Sequence, residues 1–534
     1  MEQTWYNNAL IYSLDVESFY DSNGDGTGDF EGLAEKLDSI AGLGATCIWL
    51  LPFYPSPNRD NGYDVMDYYN VDARLGTLGD FALFLDKANQ LGIRVIIDLV
   101  VNHTSIQHPW FQQARQDRNS PFRDFYVWSD KPLKYDKQHL MFTGEEETVW
   151  TYDEAAGQYY LHRFYKEQPD LNIANPEVQQ EILKIMGFWL RLGVHGFRID
   201  AAEMLVEPYG LKDTGREQLL CFFNDMRSFM QARRPDGLLL AEVNSGPDEM
   251  QPYLHKGERM HMLFNFFVNQ HIFLAFAEQK KTPLENALKA LPKMERSTQW
   301  LHFLRHHDEL NVKLLDKKDQ EKVLNAFAPE EAMRIYGFGI RRRLAPLLGN
   351  DLQRLELAYS LLFSMPGAQM IRYGDETGMG DDLSLEGRTS VRTPMQWSPS
   401  VNGGFSKAPK EKLVHPVISS GEFSFEKVNV LAAQQNPRSL LNWLERLVTT
   451  RKQSPEIGCG NLFIIPCPHE EVMIHGYEWR GRKLFFLHNF SGQEFHIEKS
   501  LLAGESLYDV FGEASGGRDT IHLKAFQYHW LRTE

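Results

Sequence analysis

Short, almost wholly apolar runs alternate with amphipathic stretches along most of the chain, and this alternation limits the fold more than any other feature. The runs occupy residues 10–19, 47–53, 94–101, 196–199, 238–241, 261–267, 301–304 and 369–371. Between them, sets such as Phe81, Phe84, Leu85, Ala88, Leu91 and Val178, Ile182, Ile185, Trp189, Leu192 repeat at helical spacing. Strands apolar on both faces and separated by helices imply a covered parallel sheet. About eight such units close a cylinder, so the expected class is α/β, a (β/α)8 TIM barrel. Two stretches break the pattern. Residues 104–174 are rich in aromatics and charge and follow the third run, which suggests a loop grown into an inserted subdomain. Near the C-terminus the helical period gives way to short alternating runs, the mark of an antiparallel β domain. The expected division is 1–103 and 175–455 for the barrel, 104–174 for the insert and 456–534 for the C-terminal β-sandwich domain.

Composition narrows the function. Asp and Glu number 72 against 56 Lys and Arg, a net charge of −16. Such a surface repels phosphate backbones, so no nucleic-acid partner is expected. No apolar run reaches the roughly 18 residues of a membrane span, and no membrane partner is expected either. The first twenty residues carry Glu2 and Asp15 and lack a basic start and an apolar core, which points to the cytoplasm. Cys47, Cys221, Cys459 and Cys467 are too few and too scattered for a disulfide framework or a zinc knuckle.

The chemistry gathers where strands should end, the working rim of such a barrel. The third run leads from Asp98 to Asn102 and His103, and the fourth carries Arg198 and Asp200. The fifth ends at Glu242, and the seventh leads into Arg305-His306-His307-Asp308-Glu309. Arg198 and Asp200 lie two apart on one strand and so face the same way, with Phe197 and Ile199 turned toward the helices. One acid at a strand end is more often a loop cap than a catalyst. Three acids, two histidines and an arginine converging on one mouth are costly to bury without a purpose.

The runs DLVVNH, GFRID, LAEVN, HHDE and QPDLN (168–172) resemble the signature regions of the α-amylase superfamily, glycoside hydrolase family 13. Further stretches, SPNRDNGYD (56–64), FYVWSD (125–130), GIRRRLAPLLGND (339–351), YGDETGMGDD (373–382) and VRTPMQW (391–397), resemble the trehalose synthases within it and in part the oligo-1,6-glucosidases. The resemblance implies Asp200 as nucleophile, Glu242 as general acid/base and Asp308 as the acid that grips sugar hydroxyls. A retaining glycosidase needs nucleophile and proton donor about 5–5.5 Å apart. Arg198 should then hold Asp200 ionised, while burial and nearby charge should keep a proton on Glu242. The resemblance further implies that His103 and His307 hydrogen-bond the first sugar and that Tyr63 stacks on it. Asp60 and Arg392 would close the pocket behind it, with Phe164 lining the wall. A closed pocket admits chain ends only.

A separate run, Asp21, Asn23, Asp25, Thr27 and Asp29 with glycines between, resembles the opening of an EF-hand loop and suits a structural Ca2+. The family also implies a second calcium position at Asn102 and Asp170. The expected partners are small α-glucosides such as maltose, and the oligomeric state stays open, a homo-oligomer included. Some residues depart from the trehalose synthase pattern: His306 stands where Asn is usual, Ala201-Ala202-Glu203 follows the nucleophile, and the first strand reads SLDVESF. Isomerisation of maltose and trehalose is the leading expectation. Hydrolysis or transfer by an exo-acting α-glucosidase or transglucosidase shares the first step and is the alternative. A phosphorylase lacks a phosphate-binding signature here, and a non-catalytic transporter escort would lack the three acids.

Overall fold

In the computed structural model, described residues are 4–134, 139–141, 145–295, 297–502, 506–511 and 519–534. Eight strands form a closed parallel barrel: β1 Leu10–Leu14, β2 Cys47–Leu50, β3 Arg94–Leu99, β4 Gly196–Ile199, β5 Leu238–Ala241, β6 Met262–Phe264, β7 Gln299–Phe303 and β8 Ala368–Arg372. Each pairs with its neighbour in sequence, and β8 closes on β1 through Leu10 opposite Gln369.

Strand side chains alternate in direction, so the barrel separates two apolar layers. Ile11, Trp49, Ile96, Leu240, Phe264, Phe303 and Met370 fill the interior. Tyr12, Leu50, Ile97, Phe197, Ile199 and Leu239 belong to the outer layer under the helices. Cutting one interior leucine to alanine costs about 2–5 kcal/mol in such cores. Local signals set the helix ends. Asp29 accepts from Gly32 N at 2.7 Å and starts the helix Phe30–Leu43, which ends at Gly44 with φ 90°. A reciprocal Thr77–Asp80 cap starts Leu78–Gln90.

The structure trims two of the expected strands. The first run stops at Leu14 because Asp15 turns back to accept from Glu17 N at 3.2 Å, so Val16–Ser18 is a 3-10 turn. The sixth stops at Phe264 because Asn265 accepts from Val268 N at 2.9 Å and opens the helix Phe266–Glu278. After β3 comes the aromatic-rich insert, a helix Pro109–Gln116 and an antiparallel sheet ordered Trp128–Ser129, Gln158–Leu161, Trp150–Asp153. A second outgrowth after β7, absent from the sequence reading, makes a small sheet of Leu310–Asn311, Gly339–Ile340 and Arg334–Ile335.

At the C-terminal end, a five-stranded antiparallel sheet runs Asn461–Ile465, Val472–Trp479, Arg482–Asn489, Tyr528–Thr533, Leu507–Asp509. A two-stranded ribbon, Phe495–Glu498 with Thr520–Leu523, joins it over a core that includes Ile474, Leu487, Ile497 and Leu523. The sheet docks on the barrel helix Leu352–Ser364, where Trp530 Nε1 donates to Ser360 Oγ at 2.9 Å and Tyr477 Oη to the Ser364 carbonyl at 2.9 Å. Among the described residues no helix is long and apolar enough to cross a membrane, and Cys47, Cys221 and Cys467 are free thiols.

Candidate active site

A cavity lies at the carboxyl ends of the strands. Seven residues expected from the sequence line it: Asp60, Tyr63, His103, Phe164, Asp200, Glu242 and Asp308. Three others, Arg198, His307 and Arg392, stand behind that wall with about 1% of their surface exposed. They lie directly behind the lining residues and support them.

Arg198 is the hub. Its Nη1 donates to Asp98 Oδ1 at 2.6 Å and to Asp200 Oδ1 at 2.5 Å, and its Nη2 lies 2.9 Å from Glu242 Oε2. One guanidinium, planar and always charged, thus spans both carboxylates that the chemistry requires. Ala201 adds a second donor to Glu242 Oε2, its N–H at 3.0 Å. To aim that N–H the backbone at Ala201 takes the left-handed region, φ 45° and ψ 43°, a costly conformation for a residue with a Cβ. With Oε2 doubly bound, Oε1 is the atom left to carry a proton.

The electrostatics divide the acids. Burial raises the Glu242 carboxyl to about 7, against the pull of Arg198, and Asp200 and Asp308 push it the same way as burial. Burial also raises Asp200, and Arg198 opposes it. Arg198, and more weakly Arg388, pull the Asp200 carboxyl back toward its ionised form, though burial leaves it raised. Asp308 goes the other way. Burial would raise it, but Arg388, His307 and Arg392 outweigh burial and hold it well below the usual carboxylate range. Arg388 lies 2.9 Å and Arg392 2.8 Å from Asp308 Oδ1, and His307 Nε2 lies 3.1 Å from Oδ2. Buried His103 is lowered to about 4 and His307 well below its ordinary value, so both rings are neutral hydrogen-bonding groups.

Tyr63 sits in this framework, its Oη 2.7 Å from His307 Nε2 and its ring parallel to the imidazole. His103 Nε2 lies 3.1 Å from the Tyr63 carbonyl, and its ring meets Phe164 at 5.1 Å. Asp60 accepts from Gln168 Nε2 at 2.9 Å, whereas Arg392 turns to Asp308 and to the His307 carbonyl. Arg388, from the loop after β8, lines the cavity in its place and also donates to Glu309 Oε2 at 3.0 Å. The sequence reading missed Arg388, Glu203 and Asn244. Arg388 lies four residues before Arg392, one turn away on the 3-10 segment Gly387–Val391, and that spacing was the available signal.

The metal expectations separate. In the loop 21–29, Asp21 accepts from Gly24 N at 2.6 Å and Gly26 N at 2.8 Å, Asn23 from Asp25 N at 2.9 Å, and Asp25 from Thr27 N at 2.8 Å. Gly26 takes φ 106°, and a Cβ there would lie 2.1 Å from the Lys412 carbonyl oxygen. The loop is thereby shaped with oxygen donors only, which suits a hard cation. At the second implied position the cation is a side chain. Arg163 Nε donates to Asp170 at 2.5 Å and its Nη2 to Asn102 at 3.0 Å, filling the gap between the two. Among the described residues, the ligand atoms of His306, His307 and Asp308 lie close enough together to share one ion.

With this geometry in place, comparison with known proteins adds the following. The α-amylase catalytic domain family matches residues 11–460. The chain is 44% identical over 512 residues to the trehalose synthase of Thermus thermophilus, covering 96% of this chain and 53% of that protein, so it spans about half that relative's length. It is 43% identical over 468 residues to the trehalose synthase of Pimelobacter sp., covering 86% and 82%. Among solved structures, the α-glucosyl transfer enzyme XgtA superposes with a TM-score of 0.79 at 27% identity, covering 100% of both chains.

Proposed function

This chain belongs to the α-amylase family, and we propose on that premise that it is a retaining α-glucoside enzyme of the trehalose synthase type, interconverting maltose and trehalose. Asp200 attacks the anomeric carbon while Glu242 Oε1 protonates the leaving oxygen, giving a glucosyl ester on Asp200 and a free glucose. The ester is then resolved by a hydroxyl of that glucose, turned so that its anomeric oxygen attacks, with Glu242 taking the proton. Asp308, ionised and fixed by Arg388 and Arg392, accepts the hydroxyls of the reacting ring. One observation carries the reading: Arg198 touches both Asp200 and Glu242, so a nucleophile and a proton donor are held by one guanidinium in one cavity.

His306 and the Ala201–Glu203 turn line the same cavity and depart from the trehalose synthase pattern. They favour, as the second reading, hydrolysis or transfer to another alcohol. Incubation with maltose, followed by NMR, separates the two. Trehalose is expected; glucose alone supports the hydrolase, and longer or branched glucosides the transferase. Inertness toward every α-glucoside refutes both. For the loop 21–29 the proposal is a structural Ca2+ held by Asp21, Asn23, Asp25, Thr27 and Asp29.

A further inference from the structure

Glu203 is an acid of the cavity wall that the chemistry above does not use. It stands two residues beyond Ala201, on the short helix Ala202–Leu205. The same left-handed turn that points the Ala201 N–H at Glu242 therefore delivers Glu203 beside the proton donor. Ser245, three residues beyond Glu242 on the loop after β5, donates its Oγ to Glu203 Oε1 at 2.7 Å. That bond fixes the carboxylate. Among the described residues no salt bridge to Glu203 is formed, and its geometric side-chain partner is Ser245. A half-buried carboxylate without a cation calls for hydroxyl or N–H donors. Asn244 lines the cavity too; its Oδ1 accepts from Gln270 Nε2 at 3.3 Å, which leaves the amide nitrogen as its offer to a ligand. Met204 and Phe266 supply apolar wall at the same place.

We propose that Glu203, set by Ser245, is the acceptor-positioning residue of this enzyme: it binds hydroxyls of the leaving and returning sugar and so selects a sugar over water to resolve the glucosyl ester. An acid beside an amide matches two neighbouring ring hydroxyls, one donating to Glu203 and one accepting from Asn244. In the resolving step the acceptor oxygen bonds to the anomeric carbon as the bond from that carbon to Asp200 breaks. The acceptor proton passes to Glu242. Glu203 exchanges no atom and acts only by holding the sugar.

This inference rests on the proposed glucosyl-enzyme, and the test keeps the two apart. The ester is formed from α-glucosyl fluoride in the presence of glucose, and the ratio of disaccharide to hydrolysed glucose is measured. Both products come from one intermediate, so the ratio is blind to how fast that intermediate forms. In Glu203→Ala the ratio should fall at least tenfold, with the KM for acceptor glucose rising, and Glu203→Gln should fall between Ala and wild type. A Glu203→Ala ratio within twofold of wild type, or transfer and hydrolysis lost in equal proportion, overturns the inference. If the variant fails to fold, the wild type is offered the monodeoxy glucoses as acceptors. At least one should lose tenfold or more in transfer, and equal transfer to all of them overturns the inference. A wild type that does not turn over α-glucosyl fluoride refutes the proposed function itself.

Discussion

Replacing Glu242 with Gln should stabilise this protein at neutral and alkaline pH while destroying its main activity. Glu242 is an acid whose carboxyl stands at about 7 in the folded chain and near 4.5 when unfolded. Between those values the folded state holds a proton that the unfolded state has released, so stability falls as pH rises from about 4.5 to 7. Above 7 the penalty is complete. The rise from 4.5 to about 7, at 1.36 kcal/mol per pH unit, sets it at about 3 kcal/mol. Gln keeps an oxygen for the Arg198 Nη2 and Ala201 N–H donors but carries no charge to desolvate. For a chain of 534 residues, about 2.1 cal/mol/K per residue gives an unfolding entropy near 1.1 kcal/mol/K, so 3 kcal/mol is worth about 3 °C. Scanning calorimetry at pH 8, 6 and 4.5 should show the variant ahead by up to that amount at pH 8. The lead should shrink at 6 and vanish at 4.5. Equal or lower melting at pH 8, or the same lead at every pH, refutes the electrostatic account. The same variant should lose nearly all activity on maltose, which needs protonation of its leaving oxygen, yet still consume α-glucosyl fluoride, which does not.

Three other outcomes follow from the same geometry. In the wild type, kcat/KM for maltose should decline above a pH of about 7, tenfold per unit, as Glu242 loses its proton; a plateau extending past pH 9 would contradict the assignment. Arg388→Lys retains the charge but cannot reach Asp308 and Glu309 together as the guanidinium does. Its cost should be about 1.5–3 kcal/mol, roughly 10- to 150-fold in kcat/KM, and unchanged kinetics would place Arg388 outside the working site. Calcium at 100 times its dissociation constant should add about 2.7 kcal/mol, so a chelator should lower the melting temperature by a few degrees in the wild type and not in Asp25→Ala; identical melting curves with and without chelator would remove the ion from the loop.

The barrel was legible because strand and helix periods differ and because an apolar strand two-sided in its burial leaves few alternatives. Phe197 and Ile199 went to the outer layer and Arg198 inward, as the two-residue period requires. The errors sit where a single polar side chain overrides an apolar run. Asp15 and Asn265 each capture a backbone N–H and end their strands early, and hydrophobicity carries no record of that. The sheet after β7 was invisible for a related reason: its strands are two residues long, shorter than any period can register.

For the site, the sequence exposed the residues that strands deliver and hid the ones that loops bring back. Asp200, Glu242 and Asp308 follow strand ends at fixed offsets. Arg388 reaches Asp308 from 80 residues away in sequence, and Glu203 meets Ser245 across 42. Side-chain type alone does not say which groups within the cluster bond to one another. An arginine and a carboxylate that share a site need not pair, because each answers to the strongest partner within reach. Arg392 found Asp308, Asp60 found Gln168, and Arg163 took the position between Asn102 and Asp170 where a metal was implied. In a crowded buried network the pairing is a competition among several distances of 2.5–3.0 Å. A shift of one ångström in the backbone changes the winner, so partners are decided only when the whole fold is in place.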